Sequence, residues 1–308
     1  MPALTLEGRL ICASGAAYAT DGRMKVLVPD PKDLYLEGVG FLHDPVVVLA
    51  GDDSIDGCLI GPTSQGIVLA FRGTMPFDIN QPPSVHDWIS DFHAEPIQLD
   101  GFPGCVHAGF GGAFTALWPR IDLALRALIP AAPKDCPILV TGHSKGGAMA
   151  ALAAWKIKQA PDLPPPKVVT FAAAKPADAD FQTAYQAAGI DHVRYEYNID
   201  IVPHLPLSDQ GFFEVLRKFP LDALDWFRDL LVEVQRFDYR PVGILRYIKA
   251  DGEIVNDSDQ LRRQRDQTLA FQVLSGHFAQ IAANHSIGCG SGYMRAVAPS
   301  GVCPSEIA

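Results

Sequence analysis

The sequence predicts an α/β fold in which a mainly parallel sheet is covered by helices on both faces. Three observations carry this. Short apolar runs rich in β-branched residues recur along the chain, and in its second half they alternate with helix-length stretches, the rhythm of β-α-β units. The composition, with 48% hydrophobic and 19% charged residues over 308 positions, can bury a sizeable core and is unlike that of a disordered chain.

Taken in order, the apolar runs Val26 to Val28, Pro45 to Ala50, Gly66 to Phe71, Pro137 to Thr141, Lys167 to Phe171, His192 to Tyr197 and Val242 to Ile248 read as strands. Gly111 to Leu128, Gly146 to Gln159 and Ala177 to Ala188 read as helices. Proline clusters at 130–137 and 161–166 end helices without any shift of composition, so residues 1–308 read as a single domain. Two segments exceed a minimal count of strands and helices. Met75 to Val85 holds three prolines directly after a strand and is a surface loop near that strand's end, so 75–95 reads as a lid-like segment. In 208–240, Phe213, Leu216, Leu224, Phe227, Leu231 and Val234 recur at spacings of three and four, which predicts an amphipathic helical cap. Trp226 and Phe227 on it are candidates to line a substrate pocket.

Thirty-five acids against twenty-five bases give a net charge of −10, and no run of Lys or Arg exists to neutralise phosphates, so nucleic acid is not an expected partner. No stretch approaches the roughly 20 apolar residues that span a bilayer. The first ten residues carry an acid within the apolar patch and no basic n-region, which reads as a cytoplasmic chain, or a secreted one if trimmed to a mature form. Six cysteines without a C-x-x-C pair indicate neither a metal site nor a disulfide framework; Cys289 and Cys303 could close a terminal loop, and free thiols are favoured.

The chemistry centres on Gly142-His143-Ser144-Lys145-Gly146, set between the apolar run Ile138 to Thr141 and an alanine-rich helix. A strand that turns sharply into a helix presents the serine at its tip, and small residues on both sides let strand and helix approach. Ser144 is therefore the candidate nucleophile. A serine hydroxyl needs a base, and the base needs a carboxylate to fix its tautomer. Asp200, just past the strand-like 192–197, stands where a strand's carboxyl end is expected. Of the later histidines, His204 is too near Asp200 in sequence. His285 in a polar, glycine-flanked loop is favoured over His277, which is expected inside a helix and packed. An oxyanion needs preorganised donors. The Lys145 N–H supplies one; Thr74, after the strand at 66–71, supplies the other or else caps a turn. His143 and His107 are expected to be packed and hydrogen-bonded, and Asp52, Asp53 and Asp56 to form a solvated loop.

The ordered blocks Phe71-Arg72-Gly73-Thr74, Asp87-Trp88-Ile89-Ser90-Asp91, Val106 to Phe110, Val140 to Ala148, Asn198 to Pro206 and the late His285 resemble the class 3 lipases, the fungal-lipase-like branch of the α/β-hydrolases. The resemblance runs from about Gly66 to Tyr293. It implies an α/β-hydrolase fold, Ser144, Asp200 and His285 as a triad, Thr74 and Lys145 as oxyanion donors, Asp91 holding the Thr74 hydroxyl, and Trp88 on the lid. The implied activity is carboxylic ester hydrolysis through an acyl-enzyme on acylglycerols or other lipid esters, at an oil-water interface, with no cofactor and no metal. Phospholipase A1, aryl or feruloyl esterase, polyester hydrolase and acyltransferase share the machinery, and a non-catalytic binding protein is the alternative of another class. Two departures stand out. The residue after the nucleophile is Lys145 where the family usually has leucine, and its ammonium is expected to pair with Asp87 or Asp91 or to reach solvent. The block usually reading Phe-Gly-x-Pro-Arg is Phe171 to Pro176.

Overall fold

The computed structural model of the protein describes residues 4–18, 37–51, 55–74, 95–133, 135–206, 238–275, 277–288 and 290–298. The strand expected at Val26 to Val28, nearly all of the lid-like segment and all but the last residues of the helical cap lie outside them.

The chain opens with helix α1 (Leu6–Tyr18), followed by strands β1 (Val46–Ala50), β2 (Asp56–Thr63) and β3 (Gly66–Phe71). Two short strands, β4 (Pro96–Ile97) and β5 (Val106–His107), lead into helix α2 (Ala108–Leu128). Then come β6 (Ile138–His143), helix α3 (Lys145–Gln159), β7 (Pro166–Phe171), β8 (Ala177–Asp178), helix α4 (Ala179–Ala187) and β9 (Asp191–Tyr197). The last third holds β10 (Tyr239–Arg240), β11 (Ile244–Ile248), β12 (Ile254–Asn256), and helices α5 (Asp259–Leu274), α6 (Phe278–Asn284) and α7 (Gly292–Val297).

Eight strands form one sheet in the order β1-β2-β3-β6-β7-β9-β11-β12. The five central strands β3, β6, β7, β9 and β11 run parallel, with antiparallel strands at both ends. Parallel strands covered on both faces are apolar throughout: β3 and β6 are buried at every position. Alternation then sorts their side chains into two cores. Ile67, Leu69, Phe71, Ile138 and Val140 meet α2 and α3, while Val68, Ala70 and Leu139 meet α1 and α7. Each such side chain contributes about 1.5 to 3 kcal/mol by leaving water. The β2–β3 hairpin is closed by Thr63, whose hydroxyl donates to the Gly66 carbonyl at 2.9 Å. Gly66 itself has φ +149, and a Cβ there would stand 2.3 Å from the Pro137 carbonyl oxygen.

The strands read from the sequence are found within a residue or two wherever they are described, and the three helices within three, α2 starting at Ala108 rather than Gly111. Helix α1 and strand β2 were missed for physical reasons. Helix α1 is buried nearly all round, from Gly8 to Ala17, so it has no polar face to set a period. Strand β2 mixes glycine and proline with its apolar residues, yet every position is buried because it pairs on both edges. Asp56, expected in a solvated loop, is instead the buried first residue of β2.

Candidate active site

The site forms at the carboxyl ends of the parallel strands, where β6 turns into α3. Ser144 has φ 60 and ψ −130, a left-handed conformation that costs a non-glycine residue about 1 to 3 kcal/mol. Its neighbours show why they are small. A Cβ on Gly142 would lie 2.2 Å from the Gly146 carbonyl oxygen, and one on Gly146 would lie 2.4 Å from that of Phe71. Strands β6 and β3 therefore approach α3 through backbone, and Ser144 N–H donates to Phe171 O at the end of β7 at 3.1 Å. The serine, 4% exposed, stands at the N-cap of α3, where first-turn amides, Lys145 N–H among them, lack an intrahelical acceptor. The end of β3 lies alongside: a Cβ on Gly73 would be 3.1 Å from Ser144 Cβ, which places Thr74, half-buried, next to the elbow.

Asp200 follows β9 after a turn in which Asn198 has φ 44. Its carboxylate, 2% exposed, is met by three donors. Val202 N–H donates to Oδ1 at 3.0 Å and the Tyr293 hydroxyl to Oδ2 at 2.7 Å; His285 Nδ1 lies 3.1 Å from both oxygens. With a carboxylate at Nδ1, that nitrogen carries the ring proton, and Nε2 keeps its lone pair. His285 sits just past α6, in the loop foreseen for it. The Asp200 loop and the α6 end are joined by an amide pair, Asn198 Nδ2 donating to Asn284 Oδ1 at 3.0 Å. His277 departs from expectation: it is exposed and precedes α6 rather than lying packed inside a helix. Its Nδ1 bonds Gln272 Oε1 at 2.6 Å.

His143 is packed and hydrogen-bonded, as expected, but with partners that sequence could not name. Its ring lies 4.5 Å from that of His285, centroid to centroid. Burial first, then the proximity of His285, push its pKa down to about 3, so it is neutral. Its Nε2 is 2.8 Å from the His285 carbonyl oxygen, which can only accept, so Nε2 carries the proton. Nδ1 therefore accepts from the Tyr18 hydroxyl, 2.7 Å away. His107, buried, accepts from Phe110 N–H at the start of α2 and stacks on the Phe110 ring.

The Lys145 ammonium meets Asp56 Oδ1 at 2.6 Å, with the two side chains 19% and 10% exposed, while Asp87 and Asp91, the partners expected from the sequence, lie outside the described residues. Asp56 is a partner that the reading of 52–56 as a solvated loop did not offer. As the first residue of β2, beside the carboxyl end of β3, it is instead delivered to the elbow. Trp88, Asp91, Trp226 and Phe227 lie outside the described residues. Among the described residues, no group of three or more His, Cys, Asp or Glu is placed to hold a metal ion. Tyr293, Tyr18 and Asn284 were missed; nothing local in their sequence separates them from core residues.

A strand-turn-helix with a left-handed serine, inside a mainly parallel eight-stranded sheet, defines the α/β-hydrolase fold. Residues 68–210 match the family model of the class 3 lipases, described as Lipase (class 3), and the resemblance read from the sequence is borne out over that region. The secreted mono- and diacylglycerol lipase A of Penicillium cyclopium is 29% identical over 157 residues, covering 50% of this chain and 47% of that protein. A lipase of Rhizomucor miehei is 30% identical over 159 residues, 49% of this chain and 40% of that protein. The match thus spans about half the length of the curated relatives or less. Among solved structures, the lipase of Rhizopus microsporus var. chinensis superposes with a TM-score of 0.60 at 17% identity, covering 94% of this chain and 88% of that one. The Rhizomucor miehei triacylglyceride lipase gives a TM-score of 0.55 at 19% identity, covering 80% and 81%.

Proposed function

We propose that the protein is a carboxylic ester hydrolase of lipase type, working through an acyl-enzyme on Ser144. The observation that carries this reading is the pairing of a strained serine at the strand-helix turn with a buried Asp200–His285 couple whose tautomer leaves Nε2 basic. In this reading Ser144 Oγ attacks the ester carbonyl as its proton passes to His285 Nε2. Asp200 stabilises the imidazolium, and the oxyanion is held by Lys145 N–H and Thr74. Collapse breaks the bond to the alcohol, which leaves with the proton from His285; water, activated by the same base, then releases the acid. Asp91 supporting Thr74, Trp88 on a lid, and Trp226 and Phe227 in the acyl pocket belong to the same proposal, as does the single domain over residues 1–308.

Relatives named as mono- and diacylglycerol lipases and lipases support acylglycerols or other lipid esters as substrates. The Lys145–Asp56 pair beside the nucleophile favours a second reading, a shorter or soluble ester, because a long acyl chain laid across it would have to desolvate two charges. Among the described residues no helix is long and apolar enough to cross a membrane. The cytoplasmic reading is supported by the free thiols of Cys12, Cys58, Cys105 and Cys136, and the relatives named as secreted set its alternative, which fractionation of the source cells decides.

The test is a set of p-nitrophenyl esters of rising chain length, with emulsified triglyceride and phospholipid, alongside labelling of Ser144 by a fluorophosphonate. Hydrolysis together with labelling is the expected result. Neither, in a folded protein, would favour the non-catalytic alternative.

A further inference from the structure

The last residue of α1 sits at the centre of a hydrogen-bond chain that touches three parts of the site. The Gly73 backbone lies against the Tyr18 hydroxyl oxygen. That hydroxyl donates to His143 Nδ1 at 2.7 Å, and His143 Nε2–H donates to the His285 carbonyl at 2.8 Å. Every link has one possible direction. A carbonyl cannot donate, and a neutral imidazole has one proton. Gly73 adjoins Thr74, His143 adjoins Ser144, and the chain ends on the backbone of His285. The fit around the hydroxyl is close, since a Cβ on Gly73 would lie 2.1 Å from it.

We propose that Tyr18 is a positioning residue: its hydroxyl locks the end of β3, the nucleophile turn and the His285 loop into one register. The inference rests on the proposed serine chemistry and deepens it. Tyr18 touches no reacting atom. It acts because the alignment of Ser144, the oxyanion donors and His285 must hold to a fraction of an ångström, and a misplacement of about 1 Å can cost on the order of 100-fold in rate. Apolar packing of α1 against the sheet sets its distance, but packing does not direct. The ordered donors and acceptors supply the direction, and they do so behind the nucleophile, where substrate binding need not disturb them.

Tyr18→Phe removes one oxygen and keeps the ring. Two readouts on the full chain are needed. The first is the second-order rate of Ser144 labelling by a fluorophosphonate, which reads the triad without any assumption about the substrate. The second is kcat and KM on p-nitrophenyl butyrate, normalised to titrated sites so that misfolded protein does not count. The expected result is a labelling rate and a kcat each lowered about 10- to 100-fold, KM within about threefold, and a melting temperature lowered by only a few degrees. Equal labelling of the two proteins, or a loss confined to the number of titratable sites, would overturn the inference. Failure of the wild type to label at all would instead remove the reading of Ser144 as nucleophile.

Discussion

The Lys145–Asp56 pair gives the sharpest test of substrate preference. Lys145→Leu alone, which a sequence comparison would suggest, strands the Asp56 carboxylate with 10% exposure and no cation. Breaking a fully buried pair from one side costs about 3 to 5 kcal/mol, and breaking an exposed one about 0 to 1. With the lysine side chain still 19% exposed, about 2 kcal/mol is expected, or roughly 3 °C of melting temperature in a chain of 308 residues. Adding Asp56→Asn removes the stranded charge and should restore most of it. The double variant then presents a neutral wall next to Ser144. If two further methylenes of an octanoate chain become buried against it, at about 0.8 kcal/mol each, the octanoate-to-butyrate ratio of kcat/KM rises about tenfold. Scanning calorimetry and p-nitrophenyl ester kinetics on all four proteins make the assay. An unchanged ratio in a stable double variant would show that the pair does not border the acyl path. Collapse of butyrate hydrolysis in that same folded protein would show that the ammonium takes part in the chemistry.

Ser144→Ala should retain the fold by circular dichroism and lose on the order of 10⁴ or more in kcat, because triad members act as a unit; more than a tenth of wild-type turnover would sink the assignment. His285→Asn should cost comparably, whereas His277→Asn, at an exposed position, should change neither rate nor melting temperature. Near-normal activity in His285→Asn would reassign the base. Buried His143 and His192 both titrate near 3 in the fold, pushed down first by burial, against 6.5 for a free side chain. The folded state thus binds fewer protons than the unfolded one between those values, so their contribution is full above about pH 6.5 and is lost as pH falls towards 3. At pH 5 each has given up about 2 kcal/mol. Melting temperature should fall by several degrees between pH 7 and 5, and His192→Gln should flatten that slope by about half; a flat wild-type profile would show that the two rings are not held neutral.

Much of this architecture was legible in sequence because the physics is local. The parallel strands announce themselves as apolar runs, and the turn at Ser144 needs glycine at 142 and 146 for contacts that would clash with any Cβ. The placing of Asp200 and His285 followed from the order of serine, acid and histidine along the chain. What stayed hidden is set by tertiary neighbours. Asp56 looks like its loop companions Asp52 and Asp53 until the pairing of β2 with β3 carries it to Lys145. Tyr293 and Tyr18 are ordinary aromatics at the ends of helices, and only the fold brings their hydroxyls to Asp200 and His143. Helix α1 gave no amphipathic signal because almost all of it is covered.

The proposed base follows helices α5 and α6, and the way α5 docks shapes how it is held. Among the described side chains of helix α5, Leu269 and Ala270 are the buried apolar ones, and charge adds to its docking. Arg265 bonds the buried Glu196 of β9, which Arg194 also meets, and its guanidinium lies over the Tyr247 ring at 4.8 Å. A buried ion pair adds little net stability, but it penalises every register in which its members miss each other. Coarse docking of the α5–α6 unit is thus specified by charge. The final alignment is left to short links around the base: Tyr247 Oη to Asn198 O at 3.0 Å, Asn198 to Asn284, Asp200 to His285, and His143 to the His285 carbonyl. These links start on β11, on the loop after β9 and on the last residue of β6, all tied to the parallel sheet. The helix need only bring His285 near; the sheet, through its carboxyl-end loops, sets where the imidazole points.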